Sequence, residues 1–176
     1  AAQLGYMVAG QAQSSGKVFD TLVFNDKRSA GNINIEFVNT ITTFFGNSAR
    51  AGEPFSALNL RRVSVLTSGS TCSASEAFIS ALRGIDIDVV LVGGTTCGKP
   101  YGFTQADNCT LAFFGIEFEG RNNKGAVTPV TGIPATCAAT DDLDHALGDP
   151  AERMLAAAIS YQLAGSCPAP AMMAAS

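Results

Sequence analysis

Between Arg62 and Val92 the chain passes through a β-branched stretch, a turn of small polar residues, a helical stretch and a second apolar stretch. That order restricts the possible folds more than anything else in the sequence. Arg62-Val63-Ser64-Val65-Leu66-Thr67 predicts a strand. It stops at Ser68-Gly69-Ser70-Thr71, whose small polar side chains break a strand and can cap a helix started after it. From Ser73 to Arg83, Ala77, Phe78, Ala81 and Leu82 recur at helical spacing, and Gly84 ends the pattern. Ile87 to Val92 is apolar apart from Asp88, as a strand covered on both faces should be. Two strands joined through a helix run parallel with a right-handed crossover. The ligand crevice of an open α/β sheet lies beyond the carboxyl ends of its strands, so Thr67 to Ser75 and Gly93 to Gly102 are expected at one edge.

The flanking sequence fills out an α/β domain. A helix is expected over Ala1 to about Gln11, strands over Val18 to Phe24 and Asn32 to Phe37, and antiparallel hairpin strands over Phe103 to Phe118 around Asp107-Asn108. A Gly/Pro-rich segment covers Gly125 to Pro134, and Asp149 to Leu163 predicts a closing helix with Pro150 in its first turn. There is no internal repeat. With 176 residues, 47% of them hydrophobic and 15% charged, the chain can bury a core without metal or disulfide staples. Its net charge of −4 lacks the basic footprint of a nucleic-acid binder. No apolar run approaches the roughly 18 residues of a membrane span. Ala1 to Gly10 reads as the middle of an apolar helix with no cap before it, so residues 1–165 are expected to be an N-terminally truncated core, with 166–176 a flexible tail.

Cys72, Cys97, Cys109, Cys137 and Cys167 fit no zinc spacing. Two disulfides and one odd thiol in an exported protein are expected. The pairing is open from sequence, with Cys167 in the tail taken as the odd one, and burial of several as small apolar residues is the alternative.

Two motifs carry chemistry. Ser73-Ala74-Ser75-Glu76 stands at a strand-to-helix turn, where an exposed hydroxyl, outward N–H groups and the positive end of the helix dipole come together. By itself the S-x-x-E spacing reads as an N-cap with a capping box. Gly93-Gly94-Thr95-Thr96-Cys97-Gly98-Lys99-Pro100 matches G-x-x-x-x-G-K, but Pro100 replaces the Mg²⁺-binding Ser or Thr. Tyr101-Gly102-Phe103-Thr104 then reads as extended chain, against a nucleotide loop. Taken together the motifs place Ser73 and Lys99 on neighbouring loops of one βαβ unit, as a Ser-Lys dyad requires. In such a dyad the amine must be neutral to take the serine proton, which an apolar site favours.

With these motifs the chain resembles the carboxyl-terminal processing, or tail-specific, serine peptidases. Their hallmark is a strand, an S-A-S-E turn opening a helix, and a T-x-G-K loop after the next strand. Here these read Ser73-Ala74-Ser75-Glu76 and Thr96-Cys97-Gly98-Lys99, and the resemblance extends to the helix around Leu4 to Ala9 and to Gly132-Ile133-Pro134. It implies a ClpP/crotonase-like spiral of ββα units with a mostly parallel central sheet. It also implies a serine endopeptidase with Ser73 as nucleophile, Lys99 as general base and the Ala74 N–H as an oxyanion donor, with Glu76 and Gln105 in support. A typical member carries glutamine four residues after the lysine, where Phe103 stands here. The family's upstream Gly-rich turn and PDZ module have no counterpart in this sequence. The expected partner is a polypeptide substrate, with no cofactor and no metal, in a periplasmic or secreted setting. The alternatives are a catalytically silent peptide-binding or assembly module and a P-loop-like nucleotide binder. His145, the lone histidine, sits among Asp141, Asp142 and Asp144 and reads as a structural or surface residue rather than a triad member.

Overall fold

The computed structural model describes residues 1–42 and 50–168. Its elements, in chain order, are α1 (Ala2–Ala9), α2 (Gln11–Ser14), β1 (Val18–Phe24), β2 (Ile33–Glu36), β3 (Arg62–Thr67), α3 (Ala74–Gly84), β4 (Asp88–Gly93), β5 (Tyr101–Phe103), β6 (Ala106–Asn108), β7 (Leu111–Phe113), β8 (Ile116–Arg121), β9 (Cys137–Ala138) and α4 (Arg153–Ala164). The βαβ unit has the expected form: β3 and β4 pair in parallel from Arg62↔Asp88 to Thr67↔Gly93, and α3 connects them. β9 joins the far edge of β4, also in parallel, giving the order β3-β4-β9.

The β3-β4-β9 sheet is parallel, as expected of the central sheet, and a second, larger sheet is antiparallel, in the order β2-β1-β8-β5. The pairing that joins its halves, β1 with β8, links segments too far apart in sequence for periodicity to reveal it. β1 binds β8 through Thr21↔Arg121 to Phe24↔Phe118. The hairpin expected around Asp107-Asn108 forms between β6 and β7, but Asp107 and Asn108 lie in its first strand and the reversal falls at Cys109 and Thr110. The closing helix starts three residues past Pro150. The Glu152 carboxylate caps it by accepting the Met154 and Leu155 N–H groups, a helix-start role that aspartate and serine usually fill.

β4 explains the layering. Val89 and Leu91 point into a cluster with Ile79 and Leu82 of α3 and Val8 and Ala9 of α1, whereas Val90 and Val92 meet Ala157 and Ala158 of α4. An apolar strand with helices on both faces is therefore what its composition demanded. α3 also packs against β1, and Asn122, just past β8, donates its Nδ2 to the Ser80 carbonyl at 2.9 Å. Among the described residues no helix is long and apolar enough to cross a membrane.

Two disulfides are present, Cys72–Cys97 and Cys137–Cys167, leaving Cys109 free and exposed. The expectation that Cys167 is unpaired is overturned: the chain after α4 turns back and ties Cys167 to β9. Of the expected tail, residues 169–176 lie outside the described residues.

Candidate active site

Ser73 occupies the step between the turn after β3 and the first residue of α3, with φ 55° and ψ −114°. A side chain at positive φ costs about 1–3 kcal/mol, so the surrounding bonds must hold it there. Two of these constraints are clear. The neighbouring Cys72 is joined to Cys97 by a disulfide, and the Ser73 N–H donates to Glu76 Oε2 at 3.1 Å. The conformation leaves Ser73 and Ala74 exposed at the amino end of an 11-residue helix. The Ala74 N–H finds no acceptor among the described residues, so it is free to meet a developing negative charge.

Glu76 links this turn to the lysine loop. It is 1% exposed, yet its carboxylate accepts four donors: Ser73 N–H, Thr96 Oγ1 at 2.5 Å, Gly98 N–H at 2.8 Å and Lys99 N–H at 2.8 Å. Burial pushes its pKa up, but the bonds from Thr96, Lys99, Gly98 and Ser73 outweigh that effect and hold it below the ordinary glutamate value. The expected capping-box residue thus fastens a second loop as well.

The lysine loop is fixed from its other side by the 130–133 segment. Thr96 N–H donates to the Ile133 carbonyl at 3.1 Å, and Ile133 N–H donates to Thr96 Oγ1 at 2.7 Å. Gly98 and Gly132 make this approach possible. Both have positive φ, and a Cβ would stand 2.2 Å from the Val130 carbonyl oxygen at Gly98 and 1.9 Å from the Thr96 carbonyl oxygen at Gly132. The Gly/Pro segment that sequence patterning leaves as a connection is therefore the brace of the site.

Ser73 and Lys99 line one cavity of about 360 Å³ between α3 and the antiparallel sheet. Phe19, Ala77 and Phe118 give it an apolar wall. Lys99 is exposed, makes no ion pair with a described residue, and has its Nζ 5.8 Å from the centre of the Phe103 ring. The apolar enclosure expected around the amine is therefore one-sided. Phe103 of β5, at the position where a typical member of the resembled family carries glutamine, supplies that side. Gln105 is not brought to the cavity; it lies on the exposed stretch between β5 and β6 and donates to Asp107 Oδ1 at 2.7 Å. His145 is likewise away from it, its Nδ1 2.9 Å from Asp142 Oδ2. No cluster of three metal-ligating side chains exists among the described residues. Lys99 is followed by strand β5 where a phosphate-binding loop would continue as a helix.

No family model matches the chain, and no curated protein matches it. Among solved structures, 93% of the chain is similar to a protein from Bacteroides fragilis NCTC 9343 described as "Putative S41 protease", with a TM-score of 0.74 and 24% sequence identity. The chain spans 40% of the length of that protein. The two share a fold, and the chemistry rests on the residues of this chain.

Proposed function

We propose that the chain is the catalytic core of a serine endopeptidase that cleaves polypeptides by acyl transfer through a Ser73–Lys99 dyad. The observation that carries this reading is the strained, exposed Ser73 at the amino end of α3, sharing one cavity with Lys99. A strained serine at a strand-to-helix turn is a recurring way to present a nucleophile beside free N–H groups. The shared fold with an S41 protease, the S-A-S-E and T-x-G-K motifs and the carboxylate hub at Glu76 support it.

In this mechanism the Ser73 hydroxyl attacks the scissile carbonyl carbon while its proton passes to the neutral Lys99 amine. The carbonyl oxygen becomes an oxyanion facing the Ala74 N–H. Collapse breaks the C–N bond, and Lys99 returns the proton to the departing amine, leaving an ester on Ser73. Water then attacks that ester, giving its proton to Lys99, and the second collapse releases the carboxylic acid and restores the hydroxyl. A polypeptide lying across the cavity shuts out the water that bathes the open side of Lys99. Glu76 acts through the Ser73, Gly98 and Lys99 backbone as a positioning residue. No cofactor takes part.

The finer reading is a carboxyl-terminal processing peptidase with a ClpP/crotonase-like spiral of ββα units, working in the periplasm or outside the cell. The two disulfides support an oxidising compartment.

The test is hydrolysis of a quenched peptide library together with active-site labelling by a fluorophosphonate. Ser73→Ala should abolish labelling and lower turnover by about a thousandfold or more, and Lys99→Ala should do the same to turnover. Unchanged turnover in both variants defeats the dyad. Peptide binding without turnover in the unsubstituted chain indicates the silent module instead. Micromolar ATP–Mg²⁺ binding that Lys99→Ala removes indicates the nucleotide reading.

A further inference from the structure

The cavity that holds Ser73 and Lys99 also contains a carboxylate that the proposed chemistry leaves idle. Asp20, on β1, lines the same cavity and is half-buried. The backbone N–H groups of Arg121 and Thr21 favour its charged form, and no side chain of a described residue hydrogen-bonds to it, so acceptor positions remain open among the roughly four a carboxylate offers. No described cation pairs with it. Arg121, next to the Gly120 that Asp20 abuts, is committed to Glu119, with Nε 2.7 Å from Oε1. Because side chains alternate along a strand, that pair occupies the face of β8 opposite to Gly120. Gly120 itself makes room for the carboxylate, since a Cβ there would stand 2.9 Å from Asp20 Oδ1. Burial pushes the Asp20 carboxyl above its ordinary range, and the Arg121 and Thr21 backbone N–H groups offset this only in part.

We propose that Asp20 is a specificity-determining residue that receives the cationic side chain, lysine or arginine, of a polypeptide bound in this cavity. The identity of the bound molecule rests on the peptidase reading above. A half-buried carboxylate without a counter-cation is unfavourable, and an ammonium or guanidinium group on the ligand relieves that cost with charge-assisted hydrogen bonds. A neutral residue of equal length cannot. A basic residue held at Asp20 then sets the register of the chain across Ser73, which lines the same cavity.

The experiment uses peptides that differ at one position, scanned along the sequence, with arginine compared to citrulline and lysine to norleucine. Binding is measured by fluorescence anisotropy on the Ser73→Ala chain, and hydrolysis on the unsubstituted chain. Arginine and lysine peptides should bind on the order of tenfold tighter than their neutral counterparts at one position, as a charged hydrogen bond in a half-buried site predicts. Adding Asp20→Asn should bring that ratio close to one, with Asp20→Ser as the second variant if the first does not fold. Equal binding of charged and neutral peptides overturns the proposal, as does a ratio that survives in a folded Asp20 variant. A charge preference in binding without hydrolysis keeps the Asp20 subsite and removes the peptidase reading. Hydrolysis that depends on Ser73 but ignores charge does the reverse. If no peptide binds and none is cleaved, both fall.

Discussion

Ser73 and Glu76 show how two residues of one turn divide the work of building the site. Ser73 has an exposed hydroxyl and a backbone conformation that must be restrained, and Glu76 supplies the restraint through a buried carboxylate that accepts from both loops. Glu76→Gln keeps the shape but turns an amide NH₂ toward groups that also donate. Chemical denaturation should show a loss of about 3 kcal/mol, with turnover falling while the labelled serine remains present. The sign of the pH dependence follows from the lowered Glu76 pKa: the stabilisation is complete above the unfolded glutamate value of about 4.3 and disappears as pH falls through the folded one. The unsubstituted chain should therefore weaken in acid more steeply than Glu76→Gln. Asp20 runs the other way. Its raised pKa means that the fold disfavours the charged form, so Asp20→Asn should melt no lower than the unsubstituted chain at pH 7, and its relative gain should shrink as the solution is acidified.

At the scale of elements, the serine turn and the lysine loop are joined three ways: by Cys72–Cys97, by Glu76, and by the Cys97 N–H bond to the Thr71 carbonyl at 3.0 Å. The disulfide closes a loop with a sequence separation of 25, for which chain entropy predicts about 3 kcal/mol of stabilisation. Cys72→Ser with Cys97→Ser should lower stability by roughly that amount in urea titrations. If Glu76 alone can hold the loops, turnover should fall less than in Glu76→Gln, and the comparison ranks the two fastenings. The brace from the 130–133 segment is less forgiving, because its close contacts are backbone to backbone. Gly132→Ala should cost at least about 2 kcal/mol and loosen Lys99, which thermal melting and peptide turnover would both register.

The whole molecule is a parallel βαβ unit, helix-covered on both faces of β4, with an antiparallel sheet on the free flank of α3 and the cavity between them. Leu91, fully buried at the centre of the first cluster, should lose about 3 kcal/mol on replacement by alanine, measured by denaturant unfolding, with no change in peptide selectivity. The βαβ unit and the places of Ser73, Ala74, Glu76 and Lys99 were legible in the chain because they depend on local signals: apolar period, small-residue turns and glycine stops. Asp20 in the cavity wall, the Cys137–Cys167 bridge and the contact of Gly98 with Gly132 were not. Each joins segments distant in sequence through an antiparallel register, a chain reversal or a close backbone approach, none of which leaves a periodic trace. Sequence by itself determined which residues could be reactive and which strands could be central. Tertiary structure alone decided which groups share the cavity, since that depends on how two sheets pack around one helix, and hydrophobic packing rewards the total area buried without recording in any single segment which partner will cover it.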